Sequence, residues 1–142
     1  MGIDILLQYE FPLDLLKRNF QLLLGLDENP ENITITKDIY QPGITGLEMD
    51  SCYLFAISTA IKGEVRQLLE LNFHENTNID MEDLTIQLCK TLHCFCLISD
   101  QNVNPYSMFK IDAKGEKHAV LLEGDALDDR DEYIIMSATN ID

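Results

Sequence analysis

The apolar residues at the start of the chain change period at Pro12, and that change restricts the fold more than any other feature. Before it, Ile3, Ile5, Leu7, Tyr9 and Phe11 alternate with Asp4, Gln8 and Glu10, the period of a half-buried strand. After it, Leu13, Leu16, Phe20, Leu23 and Leu24 recur at helical spacing. Pro12 suits the opening turn of a helix, because its missing N–H would have no intrahelical acceptor there. Gly25 suits the left-handed position that ends one. The pattern predicts a strand followed by a helix over 12–24.

The same reading extends along the chain. Ile33-Thr34-Ile35-Thr36-Lys37-Asp38-Ile39 alternates and is rich in β-branched residues, which predicts a second strand. Residues 40–50 hold Pro42, Gly43 and Gly46 and read as a long surface loop. Cys52–Thr59 and Val65–Phe73 read as a hairpin turning at Lys62-Gly63, with an arm apolar enough to be covered on both faces. Asp80 is an N-cap residue with Asp83 three positions later, and Met81, Leu84, Leu88 and Leu92 form one helical stripe over 81–92. Cys94–Ser99 is a short strand. Tyr106–Ile111 and Lys117–Leu122 make a hairpin around Asp112-Ala113-Lys114-Gly115, and Tyr133–Met136 offers a last strand. The order β-α-β-β-β-α-β-β-β predicts an α+β fold, two-layered, with a mostly antiparallel sheet and two helices. At 142 residues without an internal linker, residues 1–142 are expected to form a single domain.

Charge is the next constraint. Ten basic against 25 acidic side chains give a net charge of −15. Direct contact with nucleic acid or an anionic membrane is not expected, since both require cationic surface. The N-terminus has neither the basic start nor the apolar stretch of a signal peptide, so a cytoplasmic location is expected.

Several groups could carry chemistry. Cys89, His93, Cys94 and Cys96 are four soft donors within eight positions, but the spacing matches no zinc finger or ribbon, and each Cys also suits a packed core. Cys52 and His118 could meet as nucleophile and base, although no nucleophile elbow surrounds Cys52. No glycine-rich phosphate loop is present. No cofactor, resident metal or catalytic set is expected. The segment Glu123–Glu132 holds six acids and one Arg in ten positions. It reads either as a solvated loop, off-pattern for an EF-hand calcium site, or as a surface for a basic protein, with Glu123, Asp125, Asp128, Asp129, Asp131 and Glu132 as contacts and Tyr133 or Tyr106 as aromatic anchor.

The hairpin Tyr106–Glu116 followed by this acidic segment, in a small acidic α+β chain, resembles the immunity proteins of bacterial polymorphic-toxin and contact-dependent inhibition systems. That class shares no motif, so the resemblance transfers no site residue. It implies a cytoplasmic inhibitor, monomeric or weakly dimeric, that neutralises a basic toxin domain, often a nuclease. The competing expectations are a small enzyme using Cys52 or a carboxylate pair, and a non-catalytic structural or regulatory subunit.

Overall fold

A computed structural model describes residues 2–26, 32–37, 53–74 and 78–136. Seven strands form one sheet: β1 (Gly2–Leu7), β2 (Ile33–Thr36), β3 (Leu54–Ala60), β5 (Gln67–Phe73), β6 (Cys96–Ser99), β7 (Ser107–Ile111) and β8 (Lys117–Leu121). Their spatial order is β2-β3-β5-β1-β6-β7-β8, antiparallel except for the β2–β3 pair. The first strand of the chain therefore lies in the middle of the sheet. It pairs with β5 through Ile5 and Leu69 and with β6 through Ile5 and Ile98. Helices α1 (Leu13–Leu23) and α2 (Met81–Leu92) complete the predicted α+β order. No described helix is long and apolar enough to cross a membrane.

The two helices cover one face of the sheet. Leu16 and Phe20 of α1 and Leu84 and Leu88 of α2 pack on Ile5, Leu7, Leu54, Leu69, Leu71 and Ile98. Each large aliphatic or aromatic side chain buried this way contributes on the order of 1.5–3 kcal/mol of transfer free energy. Gly25 ends α1 at φ 68°, and the Asp80 carboxylate caps α2 by accepting from Asp83 N–H at 3.1 Å. Gln67 lies on this apolar face, only 1% exposed. Its side chain accepts from Phe11 N–H at 2.9 Å and donates to Phe11 C=O and Ser58 Oγ, so the buried amide is satisfied and the β1–α1 connection is tied to β5.

Two elements extend the predicted set, β4 (Lys62–Gly63) and α3 (Gly124–Arg130), and the last strand expected at Tyr133–Met136 is β9 (Glu132–Tyr133), with Ile135 making only an isolated bridge to Leu122. They correct two local expectations. Lys62-Gly63 is not a hairpin turn but a short strand paired in parallel with β9, and the return strand begins at Gln67 instead of Val65. The acidic segment is helical through most of its length, where a loop was one reading. Leu6, Val65, Leu97, Val120 and Leu122 form a second apolar cluster, packed against Leu127, Tyr133 and Ile135. The C-terminal segment thus covers part of the opposite sheet face, which explains why β1 carries Leu6 among its outward residues. The 40–50 loop lies outside the described residues.

Candidate functional site

The acidic segment is mounted on the sheet by backbone bonds at both ends. At its start, Leu122 N–H donates to Tyr106 C=O at 2.8 Å and Glu123 N–H to Ile134 C=O at 2.7 Å. At its end, Glu64 N–H donates to Tyr133 C=O and Met136 N–H to Leu121 C=O, each at 2.8 Å. Ile135 N–H donates to the Glu64 carboxylate. Gly63 makes the close approach of β4 to β9 possible: its φ is 116°, and a Cβ there would overlap the Tyr133 backbone.

Between these anchors α3 makes under two turns. Ala126 is fully buried and Leu127 packs into the second cluster, while Asp125, Asp128 and Asp129 are exposed. Asp131 closes the helix at φ 53°, its N–H donating toward the carbonyls of Ala126 and Leu127. Aspartate tolerates that left-handed position better than most residues.

The carboxylates of the segment are not equivalent. Arg130 lies 3.2 Å from Glu132 and 4.0 Å from Glu123, so the only base of the segment is held by its two half-buried glutamates. Asp128 accepts a hydrogen bond from the Tyr106 hydroxyl. That bond holds the Tyr106 phenol above its usual range, assisted by partial desolvation and the charges of Asp128, Asp125 and Asp129. Asp125, Asp129 and Asp131 remain exposed without an ion-pair partner among the described residues. Neither aromatic candidate protrudes. Tyr106 lies over Gly124 with its hydroxyl on Asp128, and Tyr133 is half-buried in β9, its phenol raised by burial and then by the charges of Asp131 and Asp4.

The cysteine–histidine group divides. Cys89, Cys94 and Cys96 are at most 1% exposed, whereas His93, at φ 54° at the end of α2, is exposed. The left-handed turn sends the imidazole to solvent while the thiols enter the core. The Cys89 thiol donates to Ile111 C=O at 3.4 Å. Hydrogen bonds to Cys89 and then Cys94, followed by burial, push the Cys96 thiol well up; the bond from Cys96 lowers Cys94. Cys52 lies outside the described residues, and His118 is on β8, five strand positions or about 24 Å from β3.

Among the described residues, open grooves of about 540 and 650 Å³ border the sheet. One is lined by Tyr9, Ile61, Arg66 and Phe95, the other by Asp4, Met81, Glu82, Ile98 and Phe109. Neither includes a residue of α3. A third arrangement escaped the sequence reading: Asp112, Glu116 and His118 converge at the β7–β8 turn. Their D-x3-E-x-H spacing around a Gly-containing turn is the signal that could have found them. Comparison with protein-family models, with curated proteins and with solved structures found no match for the chain.

Proposed function

We propose that the chain is a small inhibitory binding protein of the immunity type, which captures a basic protein partner on the acidic surface of α3 and the residues beside it. The observation that carries this reading is the trio Asp125, Asp129 and Asp131: three exposed carboxylates without an ion-pair partner among the described residues, on α3 and its C-cap, whose own arginine is already engaged. Because the sheet holds the segment at both ends, little ordering entropy remains to be lost when a partner arrives. Unpaired charge on a preorganised surface raises association rate and selects partners by complementarity more than it adds raw affinity. A toxin domain that binds nucleic acid has a cationic active surface, and an acidic inhibitor competes there with phosphate. Asp128, Glu123 and Glu132 support this surface by holding Tyr106 and Arg130, and the aromatic contacts contribute through the mounting of α3.

The test is capture from the source cells with the wild-type chain and with the triple variant Asp125→Asn, Asp129→Asn, Asp131→Asn. Asparagine also tolerates the left-handed position at 131, so the fold is retained. A basic protein should co-purify with the wild type, with an association rate that falls roughly ten-fold or more as salt rises. The triple variant should associate more slowly and lose most of that salt response. An unchanged rate in the triple variant, or a flat salt response in the wild type, overturns the proposal.

A further inference from the structure

The β7–β8 turn gathers three metal-ligating side chains of mixed type within seven residues. Asp112 N–H donates to Glu116 C=O at 3.0 Å and Gly115 N–H to Asp112 C=O at 2.9 Å, closing the turn with Gly115 at φ 89°. The side chain of Asp112 is divided in use. Its Oδ1 accepts from the backbone N–H groups of Lys114 and Glu116, while Oδ2 lies 3.1 Å from His118 Nε2. Glu116 Oε2 lies 4.0 Å from the same nitrogen. The three donor atoms all lie within 4.8 Å of one another. Oxygen and nitrogen ligands about 2.1 Å from one zinc ion stand roughly 3.4 Å apart in tetrahedral geometry, so modest rotation of the exposed Glu116 and His118 side chains brings the set into range.

Two of the neighbouring cations are engaged elsewhere, and Lys114 is exposed in the turn itself. Lys117 pairs with Glu82 at 2.8 Å and lies over the Phe109 ring, and Lys110 lies over the Phe95 ring at 4.5 Å. Lys90 packs beside Gly115 from α2. His118 follows Lys117 along β8, and Lys117 belongs to the helix-covered face, so His118 stands on the opposite face from Lys90, and Asp112, just past the end of β7, meets it there.

We infer that Asp112 Oδ2, Glu116 Oε2 and His118 Nε2 form a three-donor site for a divalent first-row transition metal such as Zn²⁺. The imidazole decides the class, because hard cations such as Mg²⁺ and Ca²⁺ favour all-oxygen shells. Binding replaces the His118–Asp112 hydrogen bond by two metal bonds. All three donors come from one hairpin, so the ion clips its tip together at the open end of β8.

The experiment is calorimetric titration of the full chain with Zn²⁺ alone, alongside amide spectra recorded with substoichiometric Cu²⁺. The expected result is one Zn²⁺ equivalent, bound in the presence of excess Mg²⁺, with paramagnetic broadening centred on residues 112–118. His118→Ala and Asp112→Asn should each weaken binding by roughly ten-fold or more. Asp112→Asn keeps an acceptor for the turn, and far-ultraviolet dichroism checks that both variants fold. Binding that survives His118→Ala, that Mg²⁺ displaces, or that is lost instead in Cys94→Ser overturns the assignment.

Discussion

At the scale of single residues, His93 occupies a backbone position that disfavours a side chain and Tyr106 makes a hydrogen bond that shifts its titration, and each yields a measurable consequence. His93 ends α2 at φ 54° with its ring in solvent and its N–H bonded to Cys89 C=O. A Cβ is disfavoured there, and glycine, which has none, is not. His93→Gly should therefore stabilise the fold by about 0.5–1 kcal/mol, seen as a rise of a few degrees in the thermal midpoint. Tyr106 donates its hydroxyl proton to Asp128, and that bond raises its folded pKa above the unfolded value. A group raised in this way contributes stability below its unfolded pKa and loses the contribution as pH rises through the folded one. The advantage of the wild type over Tyr106→Phe should hold up to about pH 10 and vanish above it. Alkaline unfolding of the two proteins, with tyrosinate absorbance recorded in parallel, checks this.

Elements behave differently according to how many residues announce them. Helix α2 is legible at both boundaries, because Asp80 caps it and four apolar residues repeat over three turns. Helix α3 has only Ala126 and Leu127 on its inner side, and under two turns cannot establish a 3.6-residue period. The composition of the segment argued for solvation, and its docking onto Leu97, Val120 and Leu122 outweighed that. The same holds for β4, two residues long, whose pairing partner lies some seventy positions later. Gly63 is the junction of these late elements. Gly63→Ala should release the C-terminal segment, lowering stability by about 2 kcal/mol or more. Amide exchange should accelerate at Glu64, Glu123 and Met136 while Leu6 and Leu97, inside the sheet, stay protected. If exchange rises evenly over the whole chain instead, the segment is not a separately docked unit.

For the molecule as a whole, the charge of −15 acts on folding and on association in opposite directions. Like charges repel within the compact state, so added salt screens a destabilising term. The same screening weakens the attraction that brings a cationic partner in. Raising sodium chloride from low to physiological strength should therefore raise the thermal midpoint of the isolated chain while slowing capture by its partner. Differential scanning calorimetry and stopped-flow binding over one salt series read both signs. A midpoint that falls with salt would mean that the acids are balanced locally by bases, as Arg130 and Lys117 balance theirs.

Residue pattern alone determined the α+β class, the two long helices and the succession along the chain of the seven sheet strands, because each of those elements repeats its period long enough to be read locally, whereas their spatial order, with β1 central, was set by tertiary pairing. It also marked the segment from Glu123 to Glu132 as unusual through charge. What only the tertiary structure decided was the use of each charged group: Arg130 shared between two glutamates, Tyr106 turned onto Asp128, three aspartates left unpaired, His93 parted from the buried thiols, and Asp112 brought to His118. Those outcomes depend on contacts between residues distant in the chain or across a turn, whose directions are set by backbone geometry and packing and leave no periodic trace in the order of amino acids.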